Sequence, residues 1–359
     1  MPQEVYSILR PDGRLVKGRK APSVDSEKLV DMYRFMLKNR RVDERMTKLQ
    51  RQGRIGFYIG SVGEEASIIG SAMALQDTDW VVPCYRELGA ALVRGFSLYE
   101  YCCQLFGNAE DSLKGRQMPN HYASRELRFV SISSPVGTQI PHAAGLAMGL
   151  KIQGKKEIAL VYFGDGATSQ GDFHVAANFA GVFKSPLVFL CRNNQWAISV
   201  PSHRQTASES FAIKAQAYGF EGLCVDGNDV LAVFEATREA VEKARQGKGP
   251  TLIEALTYRQ GAHSTSDDPR AYRKDQEVES WKERDPLRRM KAFLINKNLW
   301  NEEKDEQFEK EVDEEIRDAL KRAEKVGPPP IESIFEEVYD TMPGHLKEQL
   351  KEVREAGRL

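Results

Sequence analysis

Between about residues 80 and 260, short apolar runs alternate with longer segments whose apolar positions recur every three to four residues. Trp80–Val82, Ile158–Phe163 and Leu187–Cys191 are such runs, as are the stretch closing at "CVDGND" and the one inside "PTLIEALTYR". Short β-branched runs bounded by glycine or polar pairs predict buried strands. Phe173, Ala176, Ala177, Ala180 and Val182 follow at helical spacing, and residues 229–246 repeat the pattern. Strand–helix–strand alternation of this kind predicts an α/β fold with a doubly wound, mostly parallel sheet.

The flanks read differently. Residues 1–24 predict an N-terminal arm, with a turn at Pro11-Asp12-Gly13. From residue 25 an amphipathic helix is expected, capped by Ser26 and burying Leu29, Met32, Tyr33, Met36 and Leu37. Charged amphipathic helices fill 277–359, a helical C-terminal appendage to an α/β domain spanning 25–276. Two long polar loops interrupt the alternation, residues 107–136 and "QGAHSTSDDPRAYR", and long loops inside a domain tend to carry function.

Charge narrows the partners. The 51 basic and 52 acidic side chains nearly cancel, which argues against a nucleic acid or membrane held by bulk charge. No apolar run reaches membrane-spanning length and the N-terminus lacks a signal-peptide core, so a soluble, cytoplasmic protein is expected. Five cysteines without a C-x-x-C support neither a disulfide framework nor a zinc site, and Cys102 and Cys103 read as core residues.

The candidate chemistry sits where the apolar runs stop. In "LVYFGDGATSQGDF" Asp165 stands between Gly164 and Gly166 at a strand end, and Ser169-x-x-Asp172 resembles a capping box for the next helix. The following run ends at Asn193-Asn194. Parallel strands place Asp165 and Asn194 beyond carboxyl ends, where open α/β sheets bind ligands. A carboxylate, an amide oxygen and loop carbonyls suit Mg²⁺, and glycines let backbone N–H groups approach a diphosphate. The plain alternative is a turn, because Asp, Asn and Gly dominate turns. Glu64 and Glu65 open a helix where acids favour the dipole, so a catalytic role for them ranks second. His142 and His174 lie on predicted helices and read as packing residues, whereas His121 and His263 sit in polar loops.

With GDG, twenty-six residues and then NN, together with "CYRELG", "SSPVGTQIPHAAGLA", "VDGNDV" and "YRQGAHSTSDDPRAYR", the chain resembles alpha subunits of the thiamine-diphosphate-dependent first component of 2-oxo-acid dehydrogenase complexes. The resemblance runs nearly end to end, and "SSPVGTQIP" and "HSTSDD" look more like branched-chain than pyruvate or acetoin enzymes. It implies Mg²⁺ held by Asp165, Asn194 and the carbonyl of Trp196, where the family often has tyrosine, and diphosphate contacts from Gly164, Gly166 and Ala167. Tyr85, Arg86, Arg192 and His263 would complete the phosphate side, and Ser134 and Val136 would meet the aminopyrimidine. Phe57, Tyr85, Met118, Pro119, Asn120, His121 and Ser134 match substrate positions, while Ser133, Pro135, Thr138 and Gln139 match a K⁺-binding loop. His263 is the candidate catalytic residue, an imidazole expected to titrate in the working range.

The implied reaction is decarboxylation of a branched-chain 2-oxo acid such as 3-methyl-2-oxobutanoate, with acyl transfer to a lipoyl-bearing acyltransferase component. Only one cofactor half is legible here, so a beta subunit in an α₂β₂ assembly would supply the activating glutamate. The compartment would be the mitochondrial matrix in a eukaryote. Two rivals of other classes are a Mg²⁺-dependent phosphohydrolase using Asp165 as nucleophile or ligand, and a catalytically silent scaffold.

Overall fold

The computed structural model describes residues 4–356. Eight strands occur among them: β1 (Val5–Tyr6), β2 (Trp80–Val82), β3 (Ala159–Gly164), β4 (Leu187–Asn193), β5 (Trp196–Ala197), β6 (Val200–Pro201), β7 (Glu221–Asp226) and β8 (Thr251–Leu256). Six form one sheet, ordered β1-β7-β8-β4-β3-β2, in which every pairing is parallel. β5 and β6 make a separate antiparallel hairpin. The expected α/β fold with a mostly parallel sheet is thus the observed one.

Side chains alternate across this sheet, and both faces are apolar, which is why its strands read as continuous runs. Leu160, Tyr162, Val188, Leu190, Ile253 and Ala255 enter the larger core cluster. Ala159, Val161, Phe163, Leu187, Phe189 and Cys191 enter the other. Helices α1 (Ser26–Arg51), α2 (Glu65–Ala72), α3 (Leu88–Val93), α4 (Leu98–Phe106) and α7 (Val230–Arg245) contribute to the larger core, while α5 (Gln139–Ile152) and α6 (Gly171–Val182) cover the opposite face. α8 (Asp275–Lys282), α9 (Pro286–Asn296), α10 (Glu302–Ala323), α11 (Ser333–Glu336) and α12 (Gly344–Glu355) complete the chain. Met290 and Phe293 of α9 and Val312, Ile316 and Leu320 of α10 are buried in the same core as α1. Among the described residues, no helix is long and apolar enough to cross a membrane.

Two local expectations change, and the place of the arm is added to them. α1 is capped by Asp25, which accepts from the N–H of Lys28 at 2.7 Å, and Ser26 is its first helical residue. Ser169 and Asp172 form no capping box: Asp165–Ser169 is a 3-10 turn, α6 starts at Gly171, and the Ser169 hydroxyl donates to Gln205 Oε1 at 2.8 Å. The N-terminal arm covers its own sheet, since Val5–Tyr6 pairs with β7 and Asp229 Oδ2 accepts from Ile8 N at 2.7 Å.

Candidate active site

Four parallel strands deliver their carboxyl ends to one cleft of about 540 Å³. β2 runs into Cys84, Tyr85 and Arg86; β3 into Gly164–Ala167; β4 into Asn194 and Trp196; and the segment after β8 carries His263. The register Gly164↔Arg192 sets the turns after β3 and β4 side by side. Phe57, Met118, His121, Ser134 and Val136 line the remaining wall.

Asp165 is 1% exposed, and its Oδ2 has no hydrogen-bond partner. Burial raises its carboxyl to about 7, with Glu64 adding to the rise. A buried, unsatisfied carboxylate oxygen needs an explanation, and a bound cation supplies one. The neighbouring donors are oxygens of the right hardness: the Asn194 amide and the Trp196 carbonyl. Among the described residues no three His, Cys, Asp or Glu side chains gather at a metal-binding spacing, which disfavours zinc-type ligation here. The Trp196 carbonyl also accepts from Arg259 at 3.2 Å, and its indole N–H donates to Glu277 at 2.9 Å. Trp196 is flanked by Gln195 at φ 72° and by Ile198 at φ 55°. For a β-branched residue that conformation costs about 1–3 kcal/mol, and such strain clusters at functional sites. A Cβ on Gly166 would lie 2.6 Å from Ala197 Cβ in the β5–β6 hairpin, so only glycine fits there. Gly164, by contrast, meets nothing within 4 Å.

Asp165 must release its proton to bind a metal, and its folded value lies above the ordinary carboxyl value. If Asp165 ligates Mg²⁺, cofactor binding that depends on that ion should tighten by up to about tenfold per pH unit as pH rises toward 7, then level off. Calorimetric titrations at several pH values on either side of 7 check this; a flat profile would remove Asp165 as the titrating ligand.

His263 behaves differently from the expectation of an imidazole titrating near neutrality. Its Nδ1 lies 3.0 Å from Arg86 Nη2. A guanidinium can only donate, so Nδ1 accepts and the proton sits on Nε2. Burial, then Arg86 and Arg259, push its pKa down to about 3, so the ring is neutral near neutral pH and carries its one proton on Nε2. Its loop is pinned, because Asp267 Oδ2 accepts from His263 N at 2.7 Å and from the Tyr272 hydroxyl at 2.6 Å. His121 shows the opposite tautomer: Nδ1 donates to the Pro119 carbonyl at 3.1 Å, leaving Nε2 to accept from the Ser134 hydroxyl at 2.8 Å.

Not every candidate reaches the cleft wall. Asn120, at φ 68°, binds Ile59 backbone atoms and the Tyr101 hydroxyl, and Pro119 serves through its carbonyl, so both hold the wall from behind. Gln139 donates to the Tyr162 carbonyl at 2.9 Å, and Ser133, Pro135 and Thr138 lie in the turn before α5, off the cleft lining. Arg192 lines the cleft, but its Nη atoms are engaged by Glu64 and Glu87, leaving Nε without a partner.

Sequence reasoning ranked Glu64 second and missed Glu87 and Arg259, all three fully or nearly fully buried. A signal for Glu64 existed. All eight residues of α2 are buried, and a helix with no polar face leaves the acids at its start no solvent to face.

The dehydrogenase E1 component family matches residues 33–332 of this chain. The chain is 43% identical to the mitochondrial 2-oxoisovalerate dehydrogenase subunit alpha 2 of Arabidopsis thaliana, covering 98% of itself and 74% of that protein. It is 43% identical to the Caenorhabditis elegans 2-oxoisovalerate dehydrogenase subunit alpha, covering 97% and 81%, and 40% identical to the human one, covering 96% and 78%. With coverage on this scale and a cleft assembled at the strand ends, the chain belongs to the dehydrogenase E1 component family.

Proposed function

We propose that this chain is the alpha subunit of a branched-chain 2-oxo-acid dehydrogenase, acting with a beta subunit on 3-methyl-2-oxobutanoate and its relatives and passing the acyl group to a lipoyl domain. One observation carries the site reading: the buried Asp165 oxygen without a partner, set among hard oxygen donors at the end of β3. The substrate reading rests on the 2-oxoisovalerate named in the relatives.

In this reading Asp165, Asn194 and the Trp196 carbonyl hold Mg²⁺, and the N–H groups of Gly166 and Ala167 face a diphosphate. Thiamine diphosphate, when bound, supplies the electron sink for decarboxylation. Arg86 holds His263, whose Nε2–H would donate to an oxygen of substrate or acyl acceptor. Ser134, backed by His121, offers a hydroxyl on the substrate side, while Phe57, Ile59 and Met118 provide an apolar wall for a branched side chain. The turn Ser133–Gln139 remains the K⁺ candidate, stabilising the start of α5 rather than the reaction. In a eukaryotic cell the compartment would be the mitochondrial matrix.

Substrate profiling of the assembly with its beta subunit tests this. We expect 3-methyl-2-oxobutanoate to exceed pyruvate in kcat/KM by about 10–200-fold, the range that small apolar differences allow. Pyruvate preferred by a wide margin would move the chain to a pyruvate-type assignment.

A further inference from the structure

Glu64 is fully buried at the N-cap position of α2, where its side chain makes no capping bond, and its carboxylate faces Arg192 of β4 and Asn194 just beyond that strand. Oε1 accepts from Asn194 Nδ2 at 2.9 Å, Oε2 accepts from Arg192 Nη1 at 2.9 Å, and Arg86 Nε lies 3.9 Å from Oε1. We propose that Glu64 is a positioning residue that sets the polarity of the Asn194 amide, fixing its nitrogen toward the core and its oxygen toward the metal. The inference rests on the Mg²⁺ reading above.

An asparagine side chain presents nitrogen and oxygen on nearly identical shapes, so only its partners decide which end points where. A carboxylate accepts and cannot donate, so Glu64 admits only the Nδ2 end of Asn194. The Oδ1 end is left with the Trp196 N–H at 3.2 Å and one free lone pair. An amide nitrogen carries no lone pair for a cation, so a flipped Asn194 would remove one ligand without moving any backbone atom. The sheet's register cannot prevent that flip; the Glu64 carboxylate at 2.9 Å opposes it more strongly than the longer Trp196 N–H contact at 3.2 Å.

Arg192 makes the proposal testable. In Glu64→Gln the guanidinium still demands an oxygen, and a charge-assisted bond outcompetes a neutral one. The glutamine oxygen therefore turns to Arg192 and its NH₂ to position 194, flipping Asn194. Adding Asn194→Asp reverses the pair: the aspartate accepts from the glutamine NH₂ with one oxygen and offers the other to the metal. In a protein that keeps Glu64, Asn194→Asp instead sets two carboxylates against each other.

The experiment is a double-mutant cycle on the assembly with its beta subunit, titrating Mg²⁺ calorimetrically at fixed thiamine diphosphate. Glu64→Gln should weaken Mg²⁺ about 10–100-fold, the usual effect of losing a group that orients a metal ligand. Asn194→Asp should weaken Mg²⁺ binding where Glu64 is present and strengthen it where glutamine replaces Glu64. That reversal of sign is something neither a general loss of charge nor a general loss of packing produces. Additive effects of the two substitutions, or unchanged Mg²⁺ affinity in Glu64→Gln, would overturn the proposal. Should Glu64→Gln not fold, the double variant restores the formal charge and is compared with Asn194→Asp alone; equal or weaker Mg²⁺ binding by the double variant would also overturn it. Absence of Mg²⁺-dependent cofactor binding in the unsubstituted assembly would instead strike the site reading itself.

Discussion

Purified alone and given thiamine diphosphate, Mg²⁺ and 3-methyl-2-oxobutanoate, this chain should release essentially no CO₂ with an artificial electron acceptor, and addition of the beta subunit should restore turnover. Activation of the cofactor's aminopyrimidine requires a free carboxylate at its ring nitrogen, and apart from Asp165, assigned to the metal, the carboxylates around this cleft are engaged. Glu64 holds Arg192 and Asn194, and Glu87 holds Arg192 and accepts from the Cys84 N–H at 2.8 Å. Glu65 pairs with Arg40 and accepts from Gly63 N at 2.9 Å, and Asp267 pins the His263 loop. Met118 and Val136 stand 51% and 49% exposed beside the cleft, apolar surface that a partner would cover. Obligate interfaces commonly bury more than about 2,000 Å². Robust turnover by the chain alone would sink the split-site reading and return Glu64 and Glu65 to candidacy.

Replacing Asp165 by asparagine should cost Mg²⁺-dependent cofactor binding at least about 100-fold, beyond the loss typical of a group that only orients a ligand. The same change should raise the melting temperature of the cofactor-free chain above pH 7. The carboxyl's value is raised by burial from an ordinary 3.8 to about 7, so the folded chain keeps a proton that the unfolded chain has already lost. Stability therefore falls as pH rises from 3.8 to about 7 and stays lower above it. The penalty is on the order of a few kcal/mol, and a neutral isostere removes it. Binding by calorimetry and melting by circular dichroism give the two halves separately. Unchanged cofactor affinity would remove the metal assignment, and a lower melting temperature would show that the Asp165 carboxylate supports the fold.

Much of this molecule is written in local patterns. The strand Trp80–Val82 is where its apolar run lies, and α7 begins at Val230 after the Asp229 cap, because period-2 and period-3.6 burial are properties of consecutive residues. Asp165 is legible for the same reason: a charge that ends a doubly buried strand must lie at the sheet's carboxyl edge, where α/β folds bind ligands. Caps were less legible. Asp25 and Ser26 are both good capping residues, and the choice between them depends on where the preceding chain enters the helix. The capping box at Ser169 fails because Asp165–Ser169 is itself a 3-10 turn and the Ser169 hydroxyl is taken by Gln205, 36 positions further on in the chain.

The state and orientation of each site residue were decided only when distant segments met. At His263, Arg259, four positions away, contributes, but burial and Arg86, 177 positions away, which takes the His263 Nδ1, do most to lower its pKa. Near Asn194 in the chain only the Trp196 N–H, 3.2 Å from Oδ1, bears on which way its amide points; the acceptor for its Nδ2 is Glu64, 130 positions away, at 2.9 Å. Short-range pattern carries burial and periodicity, which is enough to place an aspartate at a strand end. Protonation and hydrogen-bond polarity depend on which charges lie within a few ångströms in a medium of low dielectric, and only packing brings those charges together.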